Sequence, residues 1–233
     1  MKIQNATVLV TGANRGLGAE FARQALAGGA NKVYAAARDP ATVTLAGVVP
    51  VKLDVTDAAA VAALAAMLGD VDLVINNAGV ANTGELLAEE GADALRWMME
   101  TNVFGMYNTS RHFAPVLGKN GGGAFVNVLS IASWKSSPIL AGYAVTKAAA
   151  WNLSNGVRDA LRAQGTQVLG VHVGFIDTDL TRGFEAPKLQ PSTVADSVFA
   201  ALEAGDSEVL VDEITRQVKR ALSANTGNYT LVR

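Results

Sequence analysis

Residues 6–21 read ATVLVTGANRGLGAEF. The first half is a short β-branched run of the kind that forms a strand buried on both faces. Gly12, Gly16 and Gly18 then let the chain turn tightly and let its backbone come close to a ligand. A helix is predicted to open at 16. Its first amides have no partner within the helix, and its dipole puts positive charge at the loop, which suits a diphosphate. A plain strand-to-helix turn also uses glycines. The weight of this loop comes from its place after the first strand, where a dinucleotide site would lie.

The same alternation continues outward. Strands are predicted at 6–12, 32–37, 49–56, 71–79, 124–130, 167–174 and 207–212. Helices are predicted at 16–29, 57–68, 91–117, 142–163, 191–204 and 213–223. Strands that are apolar almost throughout, each followed by a helix, imply an α/β fold. With right-handed crossovers this becomes a single-domain, Rossmann-type, doubly wound parallel sheet of about seven strands with helices on both faces. No linker, repeat or low-complexity tract divides residues 1–233, so one domain is expected.

Composition narrows the function. The net charge is −2 and only 17% of residues are charged, which gives no electrostatic footprint for nucleic acid or an anionic membrane. There is no cysteine, and the two histidines, His112 and His172, are far apart; no metal site is expected. The first apolar run is too short for a secretion signal. The longest low-charge run, AAAVAALAAML at 58–68, is well short of the roughly 20 apolar residues a membrane span needs. A soluble, cytoplasmic protein is expected.

Ligands of such sheets bind beyond the carboxyl ends of the strands. The second strand ends AAARDP. Ala37 stands where an NAD site often has an acid, and Arg38 follows. With Arg15 in the glycine loop, two guanidiniums suit a 2′-phosphate. Asp39 argues for NAD, but before Pro40 a capping or turn role fits it as well. NADP(H) is therefore preferred and NAD(H) remains possible. Asp54, after the third strand, suits an adenine amino group or a helix cap, although Thr56 or Asp57 fits the cap better. Asn76 and Asn77 end the fourth strand and need hydrogen-bond partners if buried.

Four further polar residues fall near strand ends or on facing helices: Asn102, Ser130, Tyr143 and Lys147. Tyr143 and Lys147 share one helix face at i,i+4. A nearby cation lowers a phenol's pKa, so the pair suits proton transfer near neutral pH. Ser130 suits polarising the same oxygen, and Asn102 suits holding a water that links Lys147 to solvent. Each of the four has an ordinary structural reading when taken singly.

Together, in this order and behind this glycine loop, they resemble the classical short-chain dehydrogenase/reductase family over about residues 5–180. TGANRGLG (11–18) looks like its cofactor loop and NNAG (76–79) matches its fourth-strand motif. Tyr143-x-x-x-Lys147, with Ser130 thirteen residues earlier, matches its catalytic motif. The resemblance implies a tetrad of Asn102, Ser130, Tyr143 and Lys147. It implies cofactor contacts at Gly12, Asn14, Arg15, Gly16, Leu17, Gly18, Arg38, Asp54, Val55, Asn77, Ala78, Gly79, Tyr143, Lys147, Gly174, Ile176 and Thr178. Arg15 and Ala37-Arg38 look like the NADP-preferring type.

Three positions depart from the family. Val173-Gly174 replaces Pro-Gly, so a looser bend is expected there. Leu129 replaces the first serine of a pair. The C-terminal stretch VDEITRQVKRALSANTGNYTLVR lacks the common Asp-Gly-Gly ending.

The implied activity is NADPH-dependent reduction of a ketone or aldehyde, reversible as oxidation of a secondary alcohol. A short loop at 178–190 implies an open pocket for a hydrophobic substrate, lined by Ile131, Trp134, Leu140, Phe175, Leu180 and Phe184. A non-catalytic NADP sensor would be expected to lose the tyrosine or lysine, and a lyase on this fold the glycine loop; both features stand here. The helices at 91–117 and 142–163 pair subunits in the family, so a homodimer or homotetramer is expected.

Overall fold

A computed structural model describes residues 1–224; the last nine residues of the atypical C-terminal stretch, 225–233, lie outside the described residues. Seven strands form one parallel sheet. They are β1 (Thr7–Thr11), β2 (Lys32–Ala37), β3 (Val49–Lys52), β4 (Leu73–Asn76), β5 (Ala124–Val128), β6 (Gln167–His172) and β7 (Glu208–Leu210). Their order is β3-β2-β1-β4-β5-β6-β7. The order reverses between β1 and β4, which opens a crevice beyond their carboxyl ends. β1 and β4 are buried throughout, as apolar strands covered on both faces should be. β3 is the exception: it lies at the sheet edge, largely exposed, and tolerates Pro50 there.

The helices are α1 (Gly16–Ala27), α2 (Ala58–Met67), α3 (Gly91–Met99), α4 (Gly105–Lys119), α5 (Ala141–Ala160), α6 (Pro191–Ala204) and α7 (Glu213–Ala221). Phe21 of α1 and Val194 and Val198 of α6 pack one face of the sheet. Val61 of α2 and Phe113 and Leu117 of α4 pack the other. Each such buried side chain contributes roughly 1.5–3 kcal/mol of transfer free energy.

The predicted single helix at 91–117 is instead two helices joined by a π-turn at Glu100–Phe104, where the Gly105 amide donates to the Glu100 carbonyl. The wider turn brings Asn102 inward, where it is buried. A π-turn keeps the backbone helical and uses no breaker residue, so the pattern alone reads as one helix. α5 packs closely on α3 at Gly142, where a Cβ would come within 2.9 Å of Met98 Cε, the mobile end of that side chain.

The strand-end asparagines find partners in a buried chain. Thr109 Oγ1 donates to Asn76 Oδ1 (2.5 Å), Asn76 Nδ2 to Asn127 Oδ1 (2.8 Å), and Asn127 Nδ2 to Ser154 Oγ (2.9 Å). It runs from α4 through β4 and β5 to α5. Breaking one link would leave a buried amide unsatisfied, at about 1–3 kcal/mol.

Candidate active site

The carboxyl ends of β1 to β6 open into a cavity of about 640 Å³, well within the size range of a small-molecule or cofactor site. Its first wall is the glycine loop. Gly18 packs so tightly that a Cβ would lie 2.2 Å from the Gly12 carbonyl oxygen and 2.5 Å from Asn77 Nδ2. Asn77 Nδ2 donates to the carbonyls of Thr11 (2.9 Å) and Gly12 (3.2 Å), so β4 shapes the loop. Thr11, which sequence reasoning missed, receives the Asn77 and Ala78 amides on its hydroxyl, each at 3.0 Å. A lone polar residue closing an apolar strand was the available signal. At the start of α1 no side chain caps the helix and its first turn holds no acid, so its amides remain available to an anion.

The second wall holds Arg38 and Asp54. Asp39 accepts the Ala41 amide at 3.0 Å and caps a short turn. Asp57, not Asp54, caps α2. Asp54 accepts the Thr56 amide and hydroxyl (3.0 and 2.8 Å). The Thr56 amide holds its carboxyl below the ordinary range, and Arg38 pulls the same way. Arg15 reaches across to Asp179 at 3.2 Å, an exposed ion pair of little energetic worth by itself.

The third wall carries the proton-transfer candidates. Ser130 caps a short turn at 131–133, its hydroxyl accepting the Ala132 amide at 3.0 Å. Lys147 is buried, its Nζ donating to the Val128 carbonyl at 2.9 Å and lying 5.6 Å from the Tyr143 ring centre. Burial pushes Lys147 down to about 8. Burial likewise pushes Tyr143 up to about 12, with the Ser130 hydroxyl beside it pulling the other way. The phenol is thus raised, not lowered as its spacing from the ammonium led one to expect: desolvation of the phenolate sets the direction.

The side chain of Asn102 is fully engaged by protein partners. Its Oδ1 accepts the Val80 amide (2.8 Å), and its Nδ2 donates to the Val80 carbonyl and to Thr146 Oγ1, both at 2.9 Å. Its side chain clamps the segment after β4. Beside it, Asn102 and Lys147 both line a small cavity of about 10 Å³, near the least volume that holds one water.

All the residues to which the resemblance carries cofactor contacts line the main cavity, from Gly12 to Thr178. The expected substrate wall fares differently: of its six residues only Leu180 lines that cavity. Trp134 is buried instead, stacked on His172 at 3.9 Å and edge-on to Trp151. Phe175 and Phe184 pack on each other at 5.2 Å beside the 176–189 loop, which backbone bonds between Asp177, Phe175 and Leu189 close at its base. Ile131 and Leu140 fall in the turns that precede α5. Hydrophobicity near a motif could not separate packing from lining. Trp97, Glu100 and Thr101, all unpredicted, line the cavity from the α3 side. The bend at Val173-Gly174 is not loose either: the Gly174 amide donates to Asp212 Oδ2 at 2.7 Å, and Asp212 also caps α7.

A glycine loop and a Ser–Tyr–Lys group lining one crevice define the class. The chain belongs to the short chain dehydrogenase family, a family of oxidoreductases, whose model matches residues 6–188. It is similar to a short chain dehydrogenase from Burkholderia cenocepacia solved with NADP, at 38% identity and a TM-score of 0.92, covering 97% of this chain and 95% of that one. A family member from Burkholderia phymatum solved with NAD is 27% identical with a TM-score of 0.82, covering 95% and 94%. A probable oxidoreductase, EphD, of Mycobacterium tuberculosis is 34% identical over 91% of this chain and 39% of its own length. The chain spans less than half the length of the first curated relatives it matches.

Proposed function

We propose that the protein is an NADPH-dependent carbonyl reductase, reversible as an alcohol dehydrogenase, acting on a ketone, aldehyde or secondary alcohol of apolar character. The observation that carries this reading is the protonated phenol of Tyr143 beside Ser130 and Lys147 in the same cavity as the glycine loop. The amides of α1 and the loop Gly12–Gly18 would hold a diphosphate, Asp54 and Val55 an adenine, and Lys147 a ribose hydroxyl. Ile176 and Thr178 would flank the nicotinamide. When bound, the dinucleotide supplies or accepts a hydride at the nicotinamide. Tyr143 gives its proton to the substrate oxygen as that oxygen gains charge, and takes it back in the reverse direction. The Ser130 hydroxyl donates to the same oxygen and polarises it. Lys147 keeps positive charge near the phenol and faces the small cavity beside Asn102, from which a proton can return.

The preference for NADPH rests on Arg15 and Arg38 in the cavity wall and on Asp39 being spent as a cap. The likeness to an NADP-bound relative favours it, while the NAD-bound relative keeps NADH as the second reading. The partners proposed are the small-molecule substrate and a second copy of the chain, with neither nucleic acid nor membrane. A homodimer or homotetramer paired through α3, α4 and α5 is supported by Trp97, Phe104, Tyr107 and Val145, which are 42–51% exposed there. A cytoplasmic location belongs to the same proposal; among the described residues no helix is long and apolar enough to cross a membrane.

The test is a panel of ketones and aldehydes followed by NADPH and NADH absorbance, then Tyr143→Phe on a reactive substrate. Turnover should fall about 10²- to 10⁴-fold, the usual worth of a general acid, with NADPH binding intact. A Tyr143→Phe variant that keeps its turnover would overturn the assignment.

A further inference from the structure

We propose that His172 is a positioning residue for Ser130: its Nδ1–H holds the Ser130 carbonyl and so directs the Ser130 hydroxyl toward the substrate oxygen. The inference rests on the reading of Ser130 given above. His172 ends β6, is fully buried and stays off the wall of the main cavity. Burying an imidazole without using its polar atoms is costly, and an aliphatic residue would fill the space without that cost. Here Nδ1 lies 3.1 Å from the Ser130 carbonyl oxygen. A carbonyl only accepts, so this bond requires a proton on Nδ1.

Three surroundings fix the ring. Trp134 stacks on it at 3.9 Å with planes 18° apart. Nε2 faces Glu208 Oε1 of β7 at 3.3 Å. Glu208 is in turn paired with Lys219 of α7, whose ammonium sits 5.0 Å from the Trp134 ring centre. The remaining nearby charge, Arg158 of α5, is turned to the Val168 and Ser207 carbonyls and to Asn155.

What the ring holds is the backbone on which Ser130 turns. Leu129 and Ile131 are tied to β6 and the residue after it by their amides, to the Val171 carbonyl at 2.8 Å and the Val173 carbonyl at 3.0 Å. Ser130 between them has no such backbone tie. Its carbonyl takes the Ser133 amide at 3.0 Å and, on its other lone pair, His172. Its hydroxyl oxygen accepts the Ala132 amide, which leaves the hydroxyl hydrogen to point elsewhere. A small rotation of residue 130 therefore moves that hydrogen, and misplacing a reacting group by about 1 Å can cost on the order of 100-fold in rate.

The experiment compares His172→Asn, whose amide nitrogen takes the place of Nδ1, with His172→Gln, whose amide reaches the place of Nε2. The readouts are kcat, KM, NADPH binding and Tm, using NADPH and a ketone from the panel. Ser130→Ala serves as control. The Asn variant should keep kcat within about 3-fold, and the Gln variant should lose about 10- to 100-fold, with NADPH binding unchanged in both. Parallel losses of kcat that follow Tm, or a Gln variant with full kcat, would overturn the role. Full turnover in Ser130→Ala would instead overturn the reading of Ser130 itself. The unsubstituted protein offers a check that needs no folded variant of His172. With only two histidines, and His112→Gln to assign them, ¹⁵N–¹H spectra should show a slowly exchanging proton on His172 Nδ1. A proton on Nε2 alone would overturn the proposal.

Discussion

Replacing Lys147 by methionine should make the protein more stable and less active. Burial holds the ammonium at about 8 against an ordinary 10.5. At about 1.4 kcal/mol per pH unit, keeping it charged inside the fold at pH 7 costs about 3 kcal/mol. Methionine keeps most of the aliphatic stem but withdraws the donor from the Val128 carbonyl, a loss of about 1–2 kcal/mol. The net gain is about 1–2 kcal/mol, or a rise in Tm of about 2–8 °C for a chain of this size. The pH dependence has a definite sign. Between about pH 8 and 10.5 the unfolded chain binds a proton at Lys147 that the folded chain does not, so the unsubstituted protein gains stability as pH rises. The advantage of the methionine variant is complete below about pH 8 and closes toward pH 10.5. Urea unfolding of both proteins at about pH 7 and about pH 9.5, without cofactor, measures it. A variant less stable at the lower pH, or an advantage that grows with pH, would refute the reasoning.

Other perturbations separate the walls of the cavity. Gly18→Ala puts a methyl 2.2 Å from the Gly12 carbonyl oxygen; the loop must move, and we expect about 1–3 kcal/mol of lost stability with at least about 10-fold weaker NADPH binding by fluorescence titration. Arg38→Asp should weaken NADPH by about 10- to 100-fold, as loss of one charge-assisted contact implies, and leave NADH little changed; equal losses for both would discard the 2′-phosphate role. Asp212→Asn can no longer accept both the Gly174 and Thr215 amides well, so chemical unfolding should register about 1–2 kcal/mol. If Gly174 helps shape the site, KM should move with it.

The doubly wound sheet was legible because apolar runs and Ala-rich segments alternate along the chain, and a fold buried on both faces of its sheet needs that alternation. The glycine loop and the Ser130–Tyr143–Lys147 spacing were legible because residue type and separation carry the information. Other features were not, for a common reason. The π-turn that brings Asn102 inward has no breaker residue to mark it. Trp134 and Phe184 are apolar whether they line a cavity or pack behind it. Asp212, 38 residues beyond Gly174, stands in for the missing proline through a contact that no local pattern encodes.

The direction of the Tyr143 shift shows most clearly what spacing leaves out. Four residues apart on one helix says that a phenol and an ammonium are neighbours, and neighbours of opposite charge lower the phenol's pKa. Yet desolvation works against phenolate and ammonium alike here, pushing one to about 12 and the other to about 8. At neutral pH the tyrosine is thereby held protonated, while the lysine still keeps its charge. That state suits an acid waiting to give its proton to a developing alkoxide better than a base waiting to take one. A group of positive charge brought close to Tyr143 would lower the phenol again and favour the phenolate.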